Sequence, residues 1–338
     1  MRVLVMGGSR FNGLALVREL ARYGHDVTVL NRGQTDAVFP RGVKRLSADR
    51  NDPGSLQAAL GKGEYDVVHD VSGYTLDQVR SAVDILKGRI GHYIFASSTV
   101  GYAAARLLPI RETHADDRSA GQNDYARNKL DCEDYLFAQH RQHGFAATTV
   151  PFSMVFGPNN IVPDREQRMF QRLLQGRPVF VPGDGTTLGM VGHVDDQARA
   201  LRMMMLNPVT FGKRYNLTGK DAYSDEGYVD TFAEVLGVDP RRIHVPADVM
   251  DEFWAASGPP LHQAAHLIQK VAPHIHRWNS SVIFSIDRLR ADIGWEPEYT
   301  FRSMVEQTFD WYCSEGLDKT GTFDFSFEDR LLERLGSS

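Results

Sequence analysis

A tyrosine and a lysine stand four positions apart in the stretch NDYARNK, at Tyr125 and Lys129. On a helix this spacing places both side chains on one face, so the ammonium can lie beside the phenol. A nearby cation lowers the cost of a phenolate, so a phenol whose ordinary pKa is about 10 can exchange a proton near neutrality. The pair predicts general acid–base chemistry. A solvated helix face is the alternative interpretation.

The segment before this helix supplies a second hydroxyl. The pattern of His92–Ala96 predicts a buried strand, and Ser98 follows at its end with Thr99 beside it. We predict Ser98 as the hydroxyl partner of the acid–base pair, with Thr99 able to assist. The helix that carries the pair is predicted from about Asp124 to His140.

A glycine-rich turn occupies the first thirteen residues, MRVLVMGGSRFNG. The apolar run Arg2–Met6 suits a strand buried on both faces, and Gly7, Gly8 and Gly13 precede a helical pattern. Glycine allows close backbone approach, and the helix N-terminus offers N–H groups and partial positive charge to a pyrophosphate. This context predicts a dinucleotide-binding turn, with an ordinary tight turn as the alternative.

Strand and helix patterns then alternate along the chain. Further strands are predicted at HDVTVLNRGQ, Val43–Ala48, Tyr65–Val71, His92–Ala96 and AATTVPF, with a helix at Gln78–Leu86. This alternation predicts an α/β fold, a Rossmann-type doubly wound parallel sheet with helices on both faces. Ligands are expected at the carboxyl edge of such a sheet.

The end of the second strand decides the choice of dinucleotide. An acidic residue there would hold the ribose 2′-hydroxyl and repel a 2′-phosphate, but this chain has Asn31 followed by Arg32. Arg10 can reach the same phosphate from the first turn, which would place two cations around one anion. We predict NADP as the preferred cofactor, or NAD if Arg32 is simply a solvated loop residue.

Composition indicates an ordinary globular protein. The 338 residues suffice for one large domain or two unequal ones, and the net charge of −5 predicts no general attraction to nucleic acid or anionic membranes. The two cysteines, Cys132 and Cys313, lie far apart and suit a reducing compartment. No apolar stretch reaches the roughly 18 residues of a membrane span. We expect a cytoplasmic protein that acts on a small molecule.

These motifs resemble extended short-chain dehydrogenases/reductases of the NAD-dependent epimerase/dehydratase type. The resemblance spans nearly the whole chain and also rests on DVVHDVSG (66–73), IFASSTVGY (94–102), VFGPNN (155–160), GRPVFVPGDGTTLGMVGHVDD (176–196) and DRLRADIGWEP (287–297). Family members usually have a second glycine at Arg10. The turn GG-x-R-F-x-G, which includes Phe11, resembles a subgroup that contains chloroplast stem-loop RNA-binding proteins. A non-catalytic RNA-binding protein therefore stays an alternative.

The resemblance implies further cofactor contacts. Asp49 matches the family aspartate beside the adenine ring, although a loop aspartate that caps the next turn is the competing explanation. Ser72 and Gly73 line the cofactor path. Lys129 holds the nicotinamide ribose, and Ser98 hydrogen-bonds the substrate oxygen.

Substrate contacts depart from the family pattern. Gly189 and Met154 stand where nucleotide-sugar members carry an arginine and an asparagine, and Arg277 lies where a phosphate-binding arginine is often found. Met154 and Arg277 are the predicted substrate positions, and another polyhydroxylated or carbonyl substrate is favoured over a UDP-sugar. Thr99 and Val100 replace the Asp-Glu pair of the dehydratases, which disfavours dehydration.

The resemblance implies hydride transfer at a secondary alcohol or ketone of a sugar-like substrate. Net epimerisation is preferred, and net reduction of a ketone by NADPH is the alternative. The implied dinucleotide-binding domain comprises residues 1–157 and 190–222, and the substrate-binding domain comprises residues 158–189 and 223–338.

Four further segments have separate interpretations. In residues 247–282, His262 and His266 have a zinc-like spacing without a supporting ligand, so no metal is expected. RYNLTG (214–219) predicts a strand. The arginines that follow VFGPNN predict a solvated helix face; they are Arg165, Arg168 and Arg172. The tail FDFSFEDRLLERL predicts an amphipathic helix docked on the body or on a second subunit, so the chain allows a homodimer.

Overall fold

The computed structural model describes residues 1–162, 165–255 and 278–336 of the chain. The strands are β1 (Arg2–Met6), β2 (Asp26–Asn31), β3 (Lys44–Ser47), β4 (Tyr65–Asp70), β5 (Ile90–Ser98), β6 (Ala147–Phe152), β7 (Met154–Phe156), β8 (Val179–Pro182), β9 (Leu188–His193), β10 (Ala222–Ser224) and β11 (Arg242–Val245). The helices are α1 (Phe11–Arg22), α2 (Pro53–Leu60), α3 (Leu76–Leu86), α4 (Asp124–His143), α5 (Glu166–Leu174), α6 (Val194–Met203), α7 (Asp225–Leu236), α8 (Ala247–Ala255), α9 (Asp287–Ile293), α10 (Phe301–Ser314), α11 (Leu317–Thr320) and α12 (Ser326–Gly336).

The chain divides into two compact units. The first contains Met1–Val155, Gly192–Thr218 and Phe284–Glu298, and the second contains the described residues of Phe156–Val191, Gly219–Ile283 and Tyr299–Ser338. Phe284 groups with the first unit because it forms a β-bridge with Ile110, whose carbonyl accepts a hydrogen bond from the Ser285 amide at 2.9 Å. Interpretation of the sequence had placed this segment in the substrate-binding domain.

The first unit is built on a six-stranded parallel sheet in the order β3-β2-β1-β4-β5-β6. The predicted doubly wound α/β fold is confirmed. Met6 pairs with Leu30 of β2 on one side and with Asp70 of β4 on the other, so the carboxyl ends of these strands meet at one edge. The strand order reverses at β1, and ligands of such sheets bind in the crevice at that point.

Alternate residues of β1 belong to different hydrophobic cores. Val3 and Val5 pack with residues of α1 and α6, whereas Leu4 and Met6 pack with residues of α2 and α3. Successive side chains of a strand point to opposite faces, so helices cover the sheet on both sides. This arrangement explains why β1 is continuously apolar after Arg2.

The second unit contains short strand pairs and an aromatic core. β9 and β10 are antiparallel, with Tyr223 opposite Gly189, and β8 and β11 are parallel. Tyr228 and Phe232 of α7 stack with ring centroids 4.5 Å apart, and Phe301 of α10 lies against both.

The prediction of a solvated face on α5 is wrong. Arg168 and Arg172 are buried, and the Arg168 guanidinium lies 2.6 Å from a carboxylate oxygen of Glu328 on α12. The ring of Phe325 covers both guanidinium groups. The C-terminal helix α12 therefore packs on α5 of the same chain. Its buried Glu328 carboxylate neutralises two arginines that the helical pattern of α5 alone would predict to be exposed.

The strand predicted at RYNLTG is also wrong. The segment lies alongside β6 without forming a regular strand, and isolated parallel bridges join Thr149 with Arg214 and Phe152 with Leu217. The amides of Tyr215 and Leu217 donate to carbonyl groups of β6, whereas the Asn216 amide donates to the Glu112 carboxylate at 3.0 Å.

Within the three described ranges, no helix is long and apolar enough to cross a membrane. The same residues contain no group of three or more His, Cys, Asp or Glu side chains that could hold a metal ion. His262, His266 and the predicted substrate residue Arg277 lie outside the described residues.

Candidate active site

The turn between β1 and α1 has no space for side chains at its glycines. A Cβ on Gly13 would lie 2.2 Å from the Gly7 carbonyl oxygen, and one on Gly7 would lie 2.5 Å from Cβ of Ser72. Gly7 also has a φ of 96°, which side chains rarely tolerate. Glycine at these positions therefore allows the turn to pack closely against Ser72 and the first turn of α1.

The beginning of α1 suits the phosphates of a dinucleotide. Arg10 precedes the helix without a side-chain cap, and the first turn contains no acidic residue. The helix N–H groups and their partial positive charge are therefore directed at the turn without a competing carboxylate. Phe11 begins the helix with a φ of 36°, while its side chain is buried beneath the turn. These features fit the predicted cofactor.

The end of β2 carries an amide in place of a carboxylate. Asn31 donates to Oγ of Ser9 at 2.6 Å and accepts from the Gly33 amide at 2.8 Å, so it fastens this strand end to the glycine-rich turn. Arg10 and Arg32 are exposed, and neither forms an ion pair with another described residue. Both cations are therefore available to an anion.

The aspartate after β3 caps the next turn. Asp49 is exposed and accepts hydrogen bonds from the backbone amide and the side-chain amide of Asn51, at 2.9 and 3.1 Å. These are the contacts expected of a loop aspartate that caps the next turn. A contact of Asp49 with adenine stays a prediction.

A buried ion pair next to this aspartate escaped the sequence analysis. The Arg50 guanidinium binds both carboxylate oxygens of Asp70 at 2.7 and 2.8 Å and also donates to Oγ of Ser72 at 2.9 Å. The Tyr93 hydroxyl donates to Asp70 at 2.6 Å. The available signal was an aspartate at the end of a predicted buried strand, since a buried carboxylate requires a partner.

Lys129 lies beneath the carboxyl edge of the sheet and is 3% exposed. Its ammonium donates to the carbonyl oxygens of Gly73 and Ala96, at 2.6 and 2.7 Å. An ammonium has three donors, and the third has no hydrogen-bond acceptor among the described residues. Burial lowers the pKa of Lys129 to about 8, although the nearby carboxylate of Asp70 opposes this effect.

Tyr125 stands one helical turn before Lys129 and is 43% exposed. Asn123 begins this helix by accepting a hydrogen bond from the Ala126 amide at 2.8 Å, and the Lys129 nitrogen lies 5.8 Å from the centre of the Tyr125 ring. The predicted juxtaposition of phenol and ammonium is therefore present. The interpretation as a solvated face fails for Lys129, which is buried.

The two hydroxyls after β5 differ in their surroundings. Ser98 ends the strand and is half-buried, and its Oγ accepts from the Val100 amide at 3.5 Å. Thr99 is buried and donates to the Phe152 carbonyl at 3.2 Å. Thr99 thus ties β5 to β6, and its assistance at the substrate stays a prediction.

A second buried carboxylate holds α4 against the sheet. Glu133 lies one turn after Lys129 on α4 and accepts hydrogen bonds from Ser97, Thr149 and Arg214. Burial raises the pKa of Glu133, and the charge of Arg214 opposes that rise. The role of Glu133 has no local signal in the sequence, because its partners lie on three different segments.

The predicted substrate positions receive less support. Met154 begins β7 and is half-buried, and its carbonyl accepts a hydrogen bond from the Ser153 hydroxyl at 3.1 Å. No described contact gives Met154 a role with a ligand, so its assignment stays a prediction.

Comparison with known proteins agrees with this geometry. Residues 3–218 match the model of the NAD dependent epimerase/dehydratase family. A chloroplast stem-loop binding protein of 41 kDa from Arabidopsis thaliana is 27% identical, over 98% of this chain and 84% of that protein. A UDP-glucose 4-epimerase from Corynebacterium glutamicum is 26% identical, over 91% of this chain and 95% of that protein.

A solved structure shows the same fold. The UDP-glucose-4-epimerase from Stenotrophomonas maltophila, with bound NAD and formylated UDP-arabinopyranose, matches with a TM-score of 0.75 and 17% identity, over 94% of this chain and 99% of that one. The family match covers more than half of the chain, and it coincides with the glycine-rich turn, Tyr125 and Lys129. The chain belongs to the NAD-dependent epimerase/dehydratase family, within the extended short-chain dehydrogenases/reductases.

Proposed function

We propose that this protein catalyses hydride transfer at a secondary alcohol or ketone carbon of a sugar or sugar-like substrate, with net epimerisation as the outcome. The observation that carries the proposal is the exposed Tyr125 phenol beside the buried Lys129 ammonium, at the sheet edge that also holds the glycine-rich turn. We assign substrate binding to the second unit on the basis of the family resemblance.

We assign two parts of the cofactor to residues of the first unit. The glycine-rich turn and the N-terminus of α1 would hold the pyrophosphate, and the third donor of Lys129 would hold the nicotinamide ribose. When bound, the nicotinamide supplies a reversible acceptor of hydride. Proton transfer and orientation of the substrate are the tasks of the protein's own side chains.

Tyr125 carries the proton in this proposal. Its phenolate accepts the hydroxyl proton of the substrate as the carbinol becomes a ketone, and the phenol returns the proton when the ketone is reduced. Lys129 stabilises the phenolate by its charge, and Ser98 orients the substrate oxygen. In epimerisation the ketone is reduced from its opposite face, so the reaction has no net redox change.

The cofactor pocket should prefer NADP. Arg10 and Arg32 offer two cations without an ion-pair partner in the described part of the chain, and Asn31 cannot repel a phosphate. We therefore expect NADP⁺ to bind at least about tenfold more tightly than NAD⁺ in calorimetric titrations. Arg32→Gln should remove most of this difference. Arg18→Gln, at an exposed arginine on α1, is the matched control and should leave it intact. Equal affinities in the unaltered protein would contradict the assignment.

Epimerisation and net reduction predict different states of the purified protein. We expect protein prepared without added cofactor to retain an oxidised dinucleotide through gel filtration, and a panel of free and nucleotide-activated sugars to reduce it only transiently. An empty protein that consumes NADPH stoichiometrically with a ketone would overturn epimerisation. That result would establish a ketoreductase, the candidate favoured by the exposed arginines near the ribose position.

RNA binding is the alternative suggested by the name of the Arabidopsis relative. Arg168 and Arg172 do not provide a basic surface for it, because both are buried against Glu328 and Phe325. Tight, salt-dependent binding of stem-loop RNA that is unaffected by cofactor would favour this alternative over the enzyme.

A further inference from the structure

Aromatic rings enclose the ammonium of Lys129. The nitrogen lies 4.7 Å from the ring centre of Phe95, 5.2 Å from that of Tyr74 and 5.8 Å from that of Tyr125. Its hydrogen-bond acceptors are neutral carbonyl groups, and no carboxylate among the described residues forms an ion pair with it. Ring faces and peptide dipoles therefore provide its immediate stabilisation.

The three rings differ in how far they can be altered. Phe95 is fully buried in the core of β5, and Tyr125 is the proposed proton carrier. Tyr74 is 52% exposed, so its replacement leaves no cavity in the core. A cation is attracted to a ring face most strongly in a desolvated site, and Lys129 is buried at 5.2 Å from the Tyr74 ring centre.

The backbone around Tyr74 fixes the position of its ring. Its amide donates to Oε1 of Gln78 at 2.8 Å, and Gln78 forms a capping box with Thr75 at the start of α3. Gly73 packs so tightly that an added Cβ would lie 2.8 Å from the Asp70 carboxylate. The Tyr74 ring lies 6.2 Å from that of Tyr125 at an angle of 46°. Lys129 and Tyr125 thus share one aromatic neighbour.

We propose that Tyr74 is a positioning residue of this site, whose ring face holds the Lys129 ammonium in its charged form beside Tyr125. The proposal deepens the function proposed above, since it explains how a buried lysine can support a phenolate. A neutral amine at Lys129 would lose both its charge and its attraction to the three rings. The relevant feature is the ring face of Tyr74, so the hydroxyl is dispensable.

Other charged and titratable groups also face Lys129. Asp70 lies on β4, Arg50 follows β3, and Cys132 and Glu133 lie on α4. Asp70 and Arg50 form a pair with each other, so their effects on the lysine oppose one another. None of the four contacts Tyr74 through a described hydrogen bond, and a change at Tyr74 leaves their charges in place.

Titration of Lys129 by NMR tests the proposal without cofactor or substrate. Protein labelled with carbon-13 at the lysine Cε is titrated, and the Lys129 signal is assigned by its loss in Lys129→Arg. We expect a pKa of about 8 in the unaltered protein and in Tyr74→Phe, and a value lower by about half to one pH unit in Tyr74→Leu. Tyr23→Leu, at a tyrosine that is also 52% exposed, is the control and should titrate like the unaltered protein.

The outcomes separate this proposal from the proposed function. An unchanged Lys129 pKa in Tyr74→Leu would overturn the proposed role of the ring. An equal decrease of that pKa in Tyr74→Phe would assign the effect to the hydroxyl and would also overturn the proposal. Absence of hydride transfer would refute the enzyme but leave the titration unaffected. If a substrate is found, the alkaline limb of turnover should move to lower pH in Tyr74→Leu and stay in place in Tyr74→Phe, because the amine loses its proton earlier in the leucine variant.

Discussion

Replacement of Tyr125 by phenylalanine is expected to lower turnover about a thousandfold, while NADP⁺ affinity changes less than about twofold. The ring and its position over Lys129 are retained, and only the proton-carrying oxygen is removed. Turnover is measured with the substrate found in the sugar panel, and affinity is measured by calorimetry. The separation of the two quantities distinguishes lost proton transfer from a disturbed cofactor site.

Tyr135→Phe is the matched control for this variant. Tyr135 lies on the same helix, α4, and its ring faces Arg80 rather than Lys129. We expect its turnover to stay within about twofold of the unaltered protein. If Tyr125→Phe retained full turnover, another group would have to carry the proton, and the assignment of Tyr125 would be wrong.

Asp70→Asn is expected to reduce the free energy of unfolding by about 3 to 5 kcal/mol at pH 7. The substitution preserves shape but leaves the buried Arg50 guanidinium without its counter-charge. Urea denaturation of both proteins measures the effect. Asp66→Asn is the control, because Asp66 lies on the same strand but pairs at the surface with Arg2. Asp66→Asn should lower the free energy of unfolding by less than about 1 kcal/mol. Equal midpoints for Asp70→Asn and the unaltered protein would contradict a stabilising pair.

Asp70→Asn and the unaltered protein differ in their free energy of unfolding, and the pH dependence of that difference follows from the depressed pKa of Asp70. Burial alone would raise that pKa, but the charge and hydrogen bonds of Arg50 and the hydroxyl of Tyr93 hold it below its ordinary value. The stabilisation is therefore fully present above the unfolded pKa of about 3.9 and is lost as the pH falls through the folded value. The difference in free energy of unfolding should be constant from about pH 6 to 5, below the range in which Lys129 titrates, because the Asp70 charge also affects the pKa of that lysine. A change within that window would assign the effect to another group.

Features that depend on local periodicity and spacing were predictable from the sequence. The continuous apolar runs predicted the parallel strands, since a strand covered by helices on both faces needs no polar side chains. Gly7 and Gly13 predicted a turn with close backbone approach, which the observed contacts require. The four-residue spacing of Tyr125 and Lys129 predicted their common helix face, because helical geometry alone determines it.

Only the tertiary structure decided which distant residues stabilise these local elements. Arg50 and Asp70 are 20 positions apart and Arg168 and Glu328 are 160 apart, so neither ion pair has a local pattern. Burial then determined their roles, since a charge removed from water requires a nearby opposite charge. The exposed ring of Tyr74 was equally invisible as a neighbour of Lys129, because its position depends on how β4, β5 and α4 meet at one edge of the sheet.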